Sequence, residues 1–174
     1  MPLYFAYGSN MDRNAMASRC PASRAVGTAR LPRHRFFISG DGYASVRRDP
    51  RAEVWGLLWD LALADVPSLD RYENVSGRLY AKITQTVLTP AGPRRALLYV
   101  GRSGEPGQPR PSYLEEVLAA AHAAGLSERY CGEIAAWMPQ AGAIRSAQAP
   151  APVQVEVQPR WATPHARRDE PKTY

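Results

Sequence analysis

The stretch from Leu3 to Met11, LYFAYGSNM, constrains this chain more than any other. Leu3, Tyr4, Phe5 and Ala6 make a short apolar and aromatic run that reads as a buried strand. Gly8, Ser9 and Asn10 then carry turn chemistry, and a helix-like segment begins near Met11. A strand that turns sharply into a helix leaves the amides of Ser9, Asn10 and Met11 as open donors, and Gly8 lets a ligand approach the main chain with no Cβ in the way. Such a corner suits anions and polarised carbonyls. The same residues also fit a plainer strand end with a Ser or Asn cap, in which Ser9 and Asp12 form an incomplete capping box.

With 174 residues and 45% hydrophobic content, the chain has enough apolar surface for one domain with a core, and is short for two. The formal charge of +6 comes entirely from the first 51 residues, where arginines outnumber Asp12, Asp41 and Asp49; beyond them acids and bases balance. A basic third could attract nucleic acid or concentrate small anions. The arginines alternate with apolar residues and show no aromatic stacking pattern, which favours a solvated surface. Cys20 and Cys131 are far apart and lack CxxC spacing, so neither a zinc site nor a disulfide framework is expected. His34, His122 and His165 have no ligand spacing either. With no secretory leader pattern and no apolar run of membrane length, the expected location is cytoplasmic.

Along the chain, Met11 to Arg19 reads as a short helix stopped by Pro21, and Arg24 to Ile38 as extended. After a turn at Ser39 to Gly42, a short alternating strand from Tyr43 to Arg47 is expected to end at Asp49 and Pro50. Glu53 to Leu61 is the strongest strand pattern, apolar on both faces and therefore central. Gly56 within it suggests a bulge or a ligand contact. Ala62 to Tyr72 turns helical, Tyr80 to Leu88 and Arg95 to Val100 read as strands joined by a turn at Ala91 to Pro93, and Gly101 to Pro111 reads as a mobile lid or substrate rim. Ser112 and Ser127 are expected to cap helices at Tyr113 to Ala124 and up to Trp137, with Gly125 ending the first. Residues 1–139 thus form the domain. Gln140 to Tyr174 reads as an Ala, Pro and Arg-rich extension with an edge strand suggested at Val153, Val155 and Val157.

Three segments together, FAYGSNM, EVWGLLWDL (Glu53 to Leu61) and LDRYENVSGRLY (Leu69 to Tyr80), resemble the gamma-glutamylcyclotransferase family, and the likeness runs in order from Leu3 to about Trp137. The resemblance implies an α+β fold with a small, mostly antiparallel, barrel-like sheet and helices packed outside. It implies that the Tyr7, Gly8, Ser9, Asn10 loop holds the substrate, that Glu73 carries out proton transfer, and that Tyr80 and Tyr99 line the pocket, with Tyr113 in a similar place. Asp70, one turn before Glu73, is the nearest rival for the proton transfer, but three residues before the family glutamate its expected task is to orient the helix start. Where many members carry Gly after the catalytic glutamate, this chain has Asn74, a residue that tolerates the left-handed backbone.

The implied reaction is cyclisation of a γ-glutamyl group to 5-oxoproline. It needs little equipment, since the substrate's own α-amine is the nucleophile and one carboxylate can serve both proton steps. No metal and no organic cofactor are called for, and the partner is a small γ-glutamyl molecule rather than nucleic acid or membrane. Two other readings stay open: a catalytically silent module of the same fold that binds a small carboxylate, and a basic nucleic-acid-binding protein.

Overall fold

The computed structural model describes residues 2–139 of the chain. The extension, with its suggested edge strand and His165, lies outside the described residues. In order, the elements are β1 (Leu3–Ala6), α1 (Arg13–Arg19), β2 (Arg24–Ile38), β3 (Ala44–Asp60), α2 (Val66–Tyr72), β4 (Tyr80–Thr89), β5 (Gly92–Gly101), α3 (Tyr113–Ala123) and α4 (Glu128–Ala135), with single 3-10 turns at Ser9–Met11 and Leu63–Asp65. The strands close a barrel in the order β1, β3, β2, β4, β5. All neighbours are antiparallel except β1 and β5, which run parallel with Leu3 opposite Ala96 and Tyr4 opposite Leu97. The fold is therefore α+β with a small barrel and flanking helices.

Burial follows the apolar runs. Tyr4, Phe5 and Ala6 of β1 and Val54, Leu57, Leu58 and Trp59 of β3 are buried in one cluster, joined from the helices by Leu114, Val117, Ala121, Tyr130 and Ile134. The strand partners explain Gly56. A Cβ there would stand 2.2 Å from the Ala6 carbonyl oxygen, so the close approach is made by the backbone of β1, and neither a bulge nor a ligand is involved.

Three other expectations change. β3 runs on through Asp49 and Pro50 as a single strand. Its pairing slips there, since His34 faces Arg48 while Pro32 faces Glu53, and the residues between occupy a wide bulge in which Pro50 forfeits no ladder bond. Arg35 Nε donates to Asp49 at 2.8 Å and stabilises the bulge. Ser112 does not cap α3 through its side chain; it adopts φ +60, and α3 ends at Gly125 with φ +75. Ser127 does cap α4, its hydroxyl accepting from the Tyr130 amide at 3.3 Å.

The segment from Gly101 to Pro111, expected as a mobile lid or rim, is instead tied to the turn before β3. Gly40 N donates to Glu105 O at 2.8 Å, Gly107 N to Ile38 O at 2.8 Å and Arg110 N to Gly42 O at 3.1 Å. The Arg110 guanidinium lies 4.7 Å from the centre of the Tyr43 ring. None of the loop's own residues lines the pocket described next.

Candidate active site

A cavity of about 150 Å³ opens where β1 ends, between the Gly8 turn, the end of α2, β4, β5 and the start of α3. Tyr7, Gly8, Ser9, Asn10, Glu73, Tyr80 and Tyr99, all singled out from the sequence, line it together. Tyr4, Tyr43, Tyr72 and Tyr113 line it as well, so that seven of the chain's nine tyrosines surround one carboxyl group. Glu73 terminates α2 as its C-cap, its amide bonded to Leu69 O at 2.9 Å, and its carboxyl meets Asn10 of the Gly8 turn.

The Gly8 turn differs in detail from the expected open corner. Met11 N is taken up by Gly8 O at 3.0 Å, closing a 3-10 turn, and Asp12, rather than Ser9, caps α1 by accepting from Asn14 N at 2.8 Å and Ala15 N at 3.3 Å. Across from the turn the Tyr113 hydroxyl accepts from Ala44 N at 3.2 Å. A Cβ on Gly8 would lie 3.2 Å from that hydroxyl, so glycine keeps this wall of the cavity open.

Asn10 is only 3% exposed and links three groups. Its Nδ2 donates to Glu73 Oε1 at 2.8 Å and to the Tyr4 hydroxyl at 3.0 Å, while its Oδ1 accepts from Arg19 Nη1 at 2.5 Å. Burial raises the Glu73 carboxyl from 4.5 to about 7, because desolvation of the charged form outweighs the pull of the Arg19 charge and of hydrogen bonds from Tyr4 and Asn10. Burial also holds the hydroxyls of Tyr4, Tyr7, Tyr80, Tyr99 and Tyr113 well above the ordinary phenol range, so they remain neutral donors.

Two of these tyrosines bind the frame of the site. Tyr7 donates to Tyr99 O at 2.5 Å, and Tyr80 donates to Ala44 O at 2.7 Å. Tyr99 presents its ring to the cavity while its hydroxyl donates to Asp70 at 2.6 Å, and Asp70 pairs with Lys82 at 2.6 Å. Asp70 is thus committed to β4 and β5, a different task from the helix-start role expected for it. Asn74 adopts φ +49 and accepts from Gly77 N at 3.2 Å, so the turn after Glu73 keeps the left-handed backbone without glycine.

Arg19, Tyr43 and Tyr72 escaped the sequence reading. Arg19 was one arginine of many in a basic third, and only its position nine residues after Asn10, across one short helix, hinted at a return to the turn. His34 and His122 lie outside the site; His34 Nδ1 meets Pro32 O at 2.9 Å. Among the described residues no cluster of His, Cys, Asp or Glu is arranged to hold a metal ion, and no helix is long and apolar enough to cross a membrane.

The AIG2-like family model matches residues 53–134, which carry β3 from Glu53 onward, α2 with Glu73, β4, β5 and most of the two last helices. A gamma-glutamylcyclotransferase from Bos taurus is 30% identical over 139 residues, spanning 74% of this chain and 74% of that protein, and its Homo sapiens counterpart is 29% identical over the same shares. A solved gamma-glutamyl cyclotransferase structure superposes with a TM-score of 0.74 at 27% identity, covering 80% of this chain and 89% of its own. Barrel and relatives agree: the chain belongs to the gamma-glutamylcyclotransferase family of enzymes.

Proposed function

We propose that this protein cyclises a γ-glutamyl group to 5-oxoproline and releases the free amine or amino acid, with Glu73 as the proton carrier and the Tyr7 to Asn10 loop holding the substrate. The observation that carries this reading is a single carboxyl group whose pKa, about 7, matches neutral pH, enclosed by neutral tyrosines beside that loop. A carboxylate with an ordinary pKa would be a weak base toward an ammonium ion, and a group that titrates at the working pH serves both as base and as acid.

In the proposed sequence the Glu73 carboxylate takes a proton from the substrate's α-ammonium. The freed amine attacks the γ-carbonyl carbon, a five-membered ring forms, and the carbonyl electrons move to oxygen. Collapse of that oxyanion breaks the bond to the leaving nitrogen, which receives its proton from the Glu73 carboxylic acid; the carboxylate so regenerated takes the second proton from the ring nitrogen, leaving the lactam N–H, and passes it to the departing amine. Ring closure has the proximity advantage of an intramolecular step, so the protein's part is to fold the substrate back on itself and to supply donors to the oxyanion. The Tyr113 hydroxyl, held neutral by burial and, unlike those of Tyr7, Tyr80 and Tyr99, not donating to the frame of the site, is a donor at hand, with the Ser9 and Asn10 amides of the Gly8 turn beside it.

The test is incubation with a panel of γ-glutamyl amines and γ-glutamyl amino acids, read as 5-oxoproline. Release from at least one member, abolished in Glu73→Gln, is expected. Release from none rejects the reading.

A further inference from the structure

We propose that Arg19 is a positioning residue of this site: by holding Asn10 Oδ1 it commits the Asn10 amide to Glu73, and by lying on the Tyr72 ring it braces the wall next to that carboxylate. The inference rests on the function proposed above.

The argument starts with the amide. Asn10 is 3% exposed, so water is no ready substitute for a missing partner. Its two ends are chemically opposite, and only one orientation satisfies its neighbours. With Oδ1 toward the Arg19 guanidinium, both Nδ2 hydrogens are free for Glu73 and Tyr4. The flipped amide would set its oxygen against the carboxylate and its NH2 against the guanidinium, replacing attractions with repulsions. Arg19 is therefore what makes the donor face of Asn10 point at Glu73.

The second contact serves the same end. The Arg19 guanidinium carbon sits 3.6 Å from the centre of the Tyr72 ring, and the Tyr72 hydroxyl lies 3.2 Å from Ser9 Oγ. Tyr72 immediately precedes Glu73 at the end of α2, so Arg19 clamps α1, the Gly8 turn and α2 around the carboxylate from one side. Among the described residues no carboxylate forms an ion pair with Arg19, which leaves its charge to act on Glu73 through Asn10.

The other groups facing Glu73 cannot supply that charge. Tyr4 and Tyr7 from the β1 end, Tyr80 from β4 and Tyr99 from β5 are neutral, as is Tyr113 from α3. On α2, Tyr72 offers a ring, and Asp70 is paired with Lys82 of β4. Arg19 is the positive group that favours the ionised carboxylate there.

The experiment titrates Glu73 by its carboxyl ¹³C shift in the full chain, identified by loss of the signal in Glu73→Gln, and compares wild type with Arg19→Gln and Arg19→Lys. Removal of the charge in Arg19→Gln is expected to raise the titration by on the order of one pH unit. The acid limb of kcat/KM then moves up by the same amount, which lowers the rate on that limb by up to about tenfold. Arg19→Lys keeps the charge but loses the planar stack, and is expected to titrate within about half a unit of wild type while kcat falls several-fold. A folded Arg19→Gln protein that titrates like wild type overturns the proposal. So does an Arg19→Lys protein with full kcat, which keeps the question answerable if the Gln variant does not fold. Because the ¹³C titration uses no substrate, it judges Arg19 even if no γ-glutamyl compound is turned over, and the two readings fail separately.

Discussion

Replacing Glu73 by Gln should stabilise the folded protein above neutral pH, and by an amount that depends on pH in a defined way. Burial raises its carboxyl from 4.5 to about 7, so between those values the folded protein holds a proton that the unfolded chain has released. Below the lower value both states are protonated and folding bears no cost. As pH rises through the higher one, the stability that this carboxyl had in its neutral form is lost, and above it the penalty is constant. At about 1.4 kcal/mol per unit the ceiling is roughly 3 kcal/mol. Glu73 is only half-buried as a residue, with solvent at the cavity mouth, which reduces the expected figure to about 1–2 kcal/mol. Gln keeps an oxygen to accept from Asn10 Nδ2 and has no proton to lose. The difference in unfolding free energy between variant and wild type should therefore change by about 1–2 kcal/mol in favour of Gln from near pH 4 to about pH 8, by urea unfolding at fixed ionic strength. With a slope on the order of 1–3 kcal/mol/M, this moves the relative midpoint by several tenths of a molar or more. A difference that stays flat across that window, or that moves against Gln, would refute a desolvated Glu73.

The same Glu73→Gln protein should lose roughly 10²- to 10⁴-fold in kcat with little change in substrate affinity by calorimetry; retention of more than about a tenth of the wild-type rate would move the base elsewhere. Gly8→Val adds methyl groups where a Cβ alone stands 3.2 Å from the Tyr113 hydroxyl and 3.4 Å from Ala44 Cβ, so turnover should vanish while the circular dichroism spectrum stays largely native; normal turnover would exclude the turn from the site. Gly56→Ala sets a methyl 2.2 Å from the Ala6 carbonyl oxygen and should cost about 3 kcal/mol or more in unfolding free energy, and a cost under about 1 kcal/mol would contradict the tight β1 crossing. Asn74→Gly should leave kcat within about twofold, whereas Asn74→Ala, which keeps the positive φ but loses the bond to Gly77 N, should lower stability by about 1–2 kcal/mol in a thermal or urea melt.

What could be read from the residues was what local chemistry encodes. The apolar run of β1, the two-sided apolar pattern of β3 and the turn residues between strands announced themselves, and the LDRYENV segment carried Glu73 to its place beside the Gly8 turn by resemblance. What stayed hidden depended on chain partners distant in sequence. Gly56 signalled a close approach without saying that β1 would make it. Asp49 and Pro50 read as a strand end because a proline cannot donate to a ladder; only the broken register opposite β2 lets the strand continue. Gly101 to Pro111 looked loose because its composition is that of a loop, yet its backbone amides and carbonyls are used by the turn before β3. Tyr43 read as one residue of an alternating strand and Tyr72 as one of the apolar positions of a helix, since nothing local shows that barrel closure will bring them to one cavity. Arg19 was masked by its neighbours in a basic segment.

The parallel pairing of β1 with β5 also governs when the pocket can exist. It joins Leu3 to Ala96, and the Tyr7 hydroxyl reaches the carbonyl of Tyr99, 92 residues later. Such contacts must overcome the loop-closure entropy of everything between them before they return any free energy, which places the barrel among slow-folding topologies. On the ribosome, at about 5–20 residues per second, the Gly8 turn waits about 5–20 seconds for the strand that closes the barrel around its pocket, with its aromatic run short of one partner meanwhile. An amino-terminal fragment that ends between β4 and β5 carries Glu73 and the turn but no closed cavity. Recovery of turnover in refolding should accordingly track the slowest global phase, because the last strand to arrive is also a wall of the site.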